Sequence, residues 1–125
     1  MFADPQTITL DGAGGTAKNL VKINQDNYGS EYYLADADGL SEYRLKIRHS
    51  KETVKAGANP VDRHNVELTQ YVYPTTAVPN GRTRQIYVVL RMEPGDSLTA
   101  AEDLFEALPH WLTDANSIKL LGWES

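Results

Sequence analysis

Residues 41–50 read SEYRLKIRHS, and they alternate strictly. Tyr43, Leu45, Ile47 and His49 hold one set of positions; Arg44, Lys46, Arg48 and Ser50 hold the other. Successive side chains of a strand point to opposite sides of its sheet. The segment is therefore a strand with one face apolar enough to take a cover and one face carrying three cations in a row. Like charges at this spacing repel, a mild cost that an anionic partner relieves. A solvated antiparallel sheet face and a phosphate-binding surface both fit this pattern.

The same period recurs along the chain. Residues 7–10 (TITL) and 17–23 (AKNLVKI) flank the glycine-rich turn at 11–15, so residues 7–23 are expected to form a β-hairpin. Residues 31–34 (EYYL) form a further strand before the turn at 35–40, and residues 51–55 extend the basic strand or add a short one. In residues 63–73, Val66, Leu68 and Val72 share a face with His64 and Gln70, opposite Arg63, Asn65, Glu67, Thr69 and Tyr71. A polar loop at 74–83, closed by Asn80-Gly81, leads to residues 84–92. There Ile86, Val88, Leu90 and Met92 oppose Gln85, Tyr87, Val89 and Arg91. The period then changes. Thr99-Ala100-Ala101-Glu102 reads as a capping box, and Leu104, Phe105, Leu108, Trp111 and Leu112 form one apolar helical stripe. Pro109 predicts a kink or break, and residues 114–121 form a short second helix ending at Gly122. Strands first and helices last is the α+β order. The expected architecture is one domain over residues 1–125: the hairpin at 7–23, a five-stranded antiparallel meander at 31–92 and two C-terminal helices at 99–121.

Net charge is −5, so the chain is not globally basic, and any nucleic-acid site must be a local cluster. Arg44, Lys46, Arg48, Arg63 and Arg91, all on outer strand faces, supply one. The absence of cysteine excludes disulfides and thiolate metal sites. No run approaches the ~18 apolar residues of a membrane helix, and MFADPQT lacks the order of a signal peptide, so no membrane partner and a cytosolic origin are expected.

One kinked helix and a fragment are too narrow to cover a sheet roughly 20–25 Å wide. The missing cover is expected from a second copy, with two-fold exchange of helices through Leu104, Phe105, Leu108, Trp111 and Leu112. The alternative is that the N-terminal hairpin folds over the sheet.

Enzymatic patterns are missing. Asp36-Ala37-Asp38-Gly39 has too few oxygen ligands for a calcium loop and reads as a turn. His49, His64 and His110 lack metal-ligand spacing, and the first two fall on inward faces as hydrogen-bonded core histidines. Gly12-Ala13-Gly14-Gly15 lacks the lysine and helix of a phosphate loop. Trp111 and Trp123 read as core or interface anchors. The expectation is no enzyme, no cofactor and no metal site.

The order of hairpin, meander and two helices, with a basic outer face, resembles the coat proteins of the small single-stranded RNA bacteriophages, the leviviruses. The resemblance rests on the opening TITLDGAGGT at residues 7–16, on Ile47-Arg48-His49-Ser50 closing the basic strand, and on residues 84–92 after a loop. Residues 14–24, 31–34 and 121–125 look closest to the coat protein of a Caulobacter RNA phage. It implies an intertwined homodimer with a continuous ten-stranded sheet. Such dimers assemble into an icosahedral shell around genomic RNA in the host bacterial cytoplasm. The inner sheet face would bind that RNA and, in many members, a stem-loop at the replicase start whose capture represses translation. The positions this assigns to RNA are Arg44, Lys46, Arg48, Ser50, Arg63, Asn65, Glu67, Thr69, Gln85, Tyr87, Val89 and Arg91, with Tyr87 as the base-stacking residue. Val89 and Arg91 replace an asparagine and an acid of some relatives, which favours bulk RNA contact over discrimination of one hairpin. The rival readings are a cellular dimeric α+β platform for RNA or a ligand, and a small α+β enzyme with a cavity between sheet and helices.

Overall fold

The computed structural model describes all residues, 1–125. Six strands run in sequence order through one antiparallel sheet: β1 (Gln6–Leu10), β2 (Thr16–Gln25), β3 (Gly29–Ala35), β4 (Ser41–Glu52), β5 (Val61–Val72) and β6 (Arg82–Met92). Two helices follow, α1 (Leu98–Trp111) and α2 (Asp114–Leu121). The architecture is thus α+β, as the strand-then-helix order predicts.

The strand count differs from the expected hairpin plus five-stranded meander, because β2 continues past the hairpin. Its first half pairs with β1, from Thr16↔Leu10 to Leu20↔Gln6. Its second half pairs with β3, with a register shift between Lys22 and Asn24. Such a bulge bends and twists its strand. Gly15 lets the hairpin turn close, since a Cβ there would collide with the Leu10 carbonyl. At the far end of the basic strand, Lys51 and Glu52 extend β4 rather than form a separate element.

The core is one cluster: Leu20, Tyr32, Tyr43, Leu45 and Ile47 are buried, with Ile8, Leu34, Val66 and Leu68 packed against them. Ile8 has no ladder bond to β4 or β5, so its presence shows the hairpin folded back over this face. Leu10 reaches further, lining a shallow cavity with Tyr43, Leu68, Gln70 and Ile86. An ion pair from Lys18 Nζ to Asp36 Oδ2, 2.6 Å, ties the hairpin to the β3–β4 turn. The same ammonium lies 5.8 Å from the Tyr43 ring centroid, and the hydrogen bond to Asp36 raises the Lys18 pKa. The hairpin therefore supplies the cover for β3 and β4 that the width argument expected from a second copy. Tyr32, at the centre, is fully buried, and its hydroxyl has no hydrogen-bond partner.

The helices are placed differently. Neither packs extensively on the sheet or on the other. The α1 cap is Ser97, whose side chain accepts from the Ala100 N–H at 3.3 Å, not Thr99 as the capping-box pattern predicts. Of the kink or break expected at Pro109, no break occurs: helix α1 runs through it and ends at Trp111. Proline costs one bond to the carbonyl four residues back, and the Leu112 N–H bond to the Leu108 carbonyl, 3.1 Å, still closes the last turn. Gly122 caps α2, yet the left-handed residue is Trp123, at φ 64°. Trp123 N–H meets the Leu120 carbonyl and Glu124 N–H the Lys119 carbonyl, the paired bonds of a Schellman cap, which ordinarily places glycine where Trp123 stands. Leu104 is 70% exposed, Trp111 52% and Trp123 95%.

The chain exposes 9366 Å². A compact monomer of 13.9 kDa exposes roughly 6,700 Å², so roughly 2,700 Å² is in excess, in the hairpin arm, the edge strand and the helices.

Because a buried hydroxyl without a partner costs ~1–3 kcal/mol, Tyr32→Phe is expected to stabilise the protein by ~1 kcal/mol. Urea unfolding of the two proteins tests this; a lower midpoint for the variant would show that the hydroxyl is engaged.

Candidate nucleic-acid interface

The register of three neighbouring strands decides what the outer face presents. Residues directly opposite in a ladder share a face. The pairings Arg44↔Thr69, Lys46↔Glu67, Arg48↔Asn65 and Ser50↔Arg63 join β4 to β5. The pairings Thr69↔Gln85, Glu67↔Tyr87, Asn65↔Val89 and Arg63↔Arg91 continue onto β6. All twelve residues singled out from the sequence therefore lie on one face, in four rows of three across β4, β5 and β6. The hairpin covers the opposite face.

That face is not a bare stripe of cations. Arg44 Nη1 lies 3.0 Å from Glu31 Oε1 and its Nε 3.8 Å from Glu42 Oε1. Arg48 Nη1 meets Asp26 Oδ2 at 2.8 Å. Arg91 grips Glu52 with two bonds, Nε to Oε1 at 2.8 Å and Nη2 to Oε2 at 2.6 Å. The carboxylates respond. Asp26 is held below the ordinary carboxylate value, first by the Tyr28 backbone N–H and then by Arg48. Glu52 is lowered by its hydrogen bond from Arg91, and Arg91 is raised in turn. Lys46 and Arg63 take part in no ion pair. The repulsion read from the alternation is thus relieved within the chain, and two cations remain free.

The centre of the face is a polar network. Gln85 Nε2 donates to Glu67 Oε1 at 3.1 Å and to Thr69 Oγ1 at 3.4 Å, and Thr69 Oγ1 donates to Glu67 Oε1 at 3.4 Å. Tyr87 stands beside it, 64% exposed. Sequence reasoning missed a second aromatic group on this face. The Tyr33 and Tyr73 hydroxyls both donate to Glu42 Oε2, at 2.8 and 3.1 Å. Arg44 stacks over the Tyr33 ring at 5.0 Å, and Tyr71 meets Tyr73 edge-on at 5.7 Å. Desolvation, then the Glu42 and Tyr33 hydrogen bonds, push the Tyr73 phenol up to about 12. The strand alternation carried part of this signal, since Glu42 and Glu52 continue the stripe two residues beyond Arg44 and Ser50. Asp26 and Glu31 come from other segments and join only through the pairing of β3 with β4.

Of the five residues expected to form a dimer interface, on α1 and the residue after it, Leu104, Leu108 and Trp111 are exposed, while Phe105 and Leu112 are half-buried. His49 is exposed, not part of a core. No group of three or more His, Asp or Glu side chains is arranged to hold a metal ion. No helix is long and apolar enough to cross a membrane.

A family model for the coat protein of phage phiCb5 matches residues 3–93, which span all six strands. Among curated proteins, none matches this chain. Two solved structures are similar in fold. The bacteriophage EMS014 coat protein superposes with a TM-score of 0.64 at 18% identity, over 87% of this chain and 72% of that one. The virus-like particle of Beihai levi-like virus 21 gives a TM-score of 0.69 at 15% identity, over 97% of this chain and 94% of that one.

Asp26 and Glu52 both have depressed pKa values in the fold. Their contribution to stability is therefore full above the ordinary carboxylate range, about pH 4, and is lost as pH falls through the lower folded values. Replacing them together, Asp26→Asn with Glu52→Gln, is expected to flatten the fall of the urea midpoint below about pH 4. An unchanged slope would show that these two ties contribute nothing.

Proposed function

The chain belongs to the phage phiCb5 coat protein family, and on that premise we propose that it is the shell subunit of an RNA phage, a dimer that closes into a capsid around the genome. Its place is the virion, and its work is structural. Family membership favours this reading over the cellular platform and the small enzyme.

The observation that carries the proposal is the division of the sheet into two unlike faces. One is covered by the hairpin over β3 and β4 and left uncovered beyond them, where Ile86 is 49% exposed. The other gathers all twelve residues singled out from the sequence, every one but Val89 polar, charged or aromatic. The uncovered half, the free edge of β6 and the apolar stripe of α1 are what a two-fold partner needs. Antiparallel pairing of β6 with its copy joins β2–β6 of each subunit into ten strands, because the paired half of β1 and β2 is folded back. Helices of one copy then lie over β5 and β6 of the other. An excess of roughly 2,700 Å² per chain, roughly 5,400 Å² for two, is at the upper end of what obligate dimer interfaces remove, ~2,000–5,000 Å² or more in total.

The opposite face then meets RNA. Lys46 and Arg63 make no ion pair that a phosphate would have to break, although Lys46 stands opposite Glu31 and Glu67 in its ladders. Tyr87 offers a ring for stacking, worth ~1–3 kcal/mol per base. Gln85, Thr69 and Glu67 already satisfy one another, so their readout of a particular base requires breaking bonds already made. We therefore assign the face to the genome at large before any single stem-loop at the replicase start.

Electron microscopy of the protein expressed alone is expected to show uniform closed shells that copurify with RNA; a soluble monomer would defeat the proposal. For the RNA face, Lys46→Ala should lower the slope of log affinity against log salt by ~1. Arg91→Ala should change it less, because Glu52 already neutralises that guanidinium. Equal effects would remove the role given to the internal ion pairs. For the interface, Trp111→Ala is expected to cost ~3–5 kcal/mol, losing dimer and particle together in sedimentation; an intact dimer would place the contact elsewhere.

A further inference from the structure

We propose that His49 and His64 form a two-histidine site for a divalent transition-metal ion of the copper or nickel type. The two residues are fifteen positions apart in the chain and directly opposite in the β4–β5 ladder. Their Nδ1 atoms lie 2.9 Å apart, with ring centroids at 5.0 Å and planes crossed at 70°. A neutral imidazole has one N–H and one lone pair, so this contact is a single N–H···N bond holding two ligand nitrogens together.

The spacing is what a metal ion requires. Imidazole nitrogens bind such ions at ~2.0–2.1 Å, which puts two cis ligands about 2.9 Å apart at a right angle and about 3.4 Å apart at the tetrahedral angle. The observed 2.9 Å matches the right angle, the geometry of tetragonal copper and nickel sites rather than tetrahedral zinc. In the hydrogen bond the two nitrogens aim at each other and one Nδ1 carries the proton; to share an ion they must aim at a common point, and that proton moves through solvent to the same ring's Nε2, leaving a lone pair on each Nδ1. The histidine χ2 torsion is soft enough for that swing, and exposed His49 leaves room for it.

The surroundings permit an ion. On the same face, Ile47 and Val66 form the row on one side, and Leu90 lies opposite His64 on β6. Met1 and Phe2 line a shallow cavity with His49. Lys51 and Asp62 pair in the row beyond and carry opposite charges. No third histidine or carboxylate of the chain completes the set; the partner helices proposed above lie over β5 and β6, so solvent reaches the remaining positions from the β4 side, where His49 is exposed, and binding is reversible. An ion held here joins the ends of the two central strands and stabilises the folded form by mass action. It lies on the face opposite the proposed RNA contacts.

The test is a Cu²⁺ titration of the purified, assembled protein near neutral pH, followed by electron paramagnetic resonance. One Cu²⁺ per chain is expected, with two equatorial nitrogens in the spectrum and a rise in the thermal midpoint. His49→Gln and His64→Gln should each abolish the one-equivalent step while particle yield and RNA content stay unchanged, and His110→Gln should retain it. A step that persists in both variants, or unaltered protein that takes no stoichiometric ion, would overturn the site. The nitrogen count needs no variant: one nitrogen or none in the unaltered protein is equally decisive against it.

Discussion

The unbroken register between β4 and β5, from Ser41↔Val72 to Glu52↔Val61, is the constraint on which the rest of this protein depends. Because side chains alternate with period two, a slip of one residue would exchange every inward and outward position. It would put Leu45 and Ile47 in water and Arg44, Lys46 and Arg48 beneath the hairpin. The desolvation of three cations and the loss of the only buried cluster both oppose the slip. The apolar face therefore sets the register, and the register sets the outer surface. The four rows across β4, β5 and β6 are a consequence of core packing, and so is the meeting of His49 with His64 on the other side.

Electrostatics on the outer face follow from the same pairing. Three of its five cations are held by Glu31, Glu42, Asp26 and Glu52. These are exposed or half-exposed pairs, and such pairs contribute little to stability. Their larger effect is on recognition. A paired arginine must exchange one anion for another, so the gain from a phosphate is reduced by the carboxylate it releases. An unpaired lysine has no such loss. A chain of net charge −5 can thus carry cations on this face without a field that attracts every polyanion, and the cations outside the ion pairs are Lys46 and Arg63.

Much of this was legible in the sequence, and the reasons differ between elements. The alternation in β4, β5 and β6 sorted the residues onto the two faces as the ladders pair them, because period two is a local property of the backbone, but it did not give burial, since His49, expected in a core, is exposed. The second helix and its end at Gly122 were legible for the same reason. Partners were harder to read. The continuation of β2 into a second ladder, the clasp from Lys18 to Asp36 and the acids facing Arg44 and Arg48 all join segments distant in sequence. The histidine pair shows the limit most clearly. Spacing along the chain signals a metal site only within one element, whereas these ligands meet across a ladder. The α1 cap fell two residues from the predicted position because Ser97, following the turn at Gly95, reached the free Ala100 N–H first.

The division of cover between hairpin and helices has a physical logic. The hairpin is tethered to β3 through β2, so folding it back closes only a short loop and costs little chain entropy. It protects β3 and β4, whose apolar positions become the buried cluster. The helices follow β6, the free edge, and a 14-residue α1 is about 21 Å long. With Leu104, Leu108 and Trp111 exposed, α1 adds no lid over β6, where Ile86 is 49% exposed, and the hairpin reaches only the near side of β5. A free strand edge, an uncovered sheet half and an apolar helix stripe then coincide at one end of the molecule. Each is a liability in a monomer. The two-fold axis proposed beside β6 would satisfy all three, so the features that make the isolated subunit poorly packed are those that would make pairing favourable.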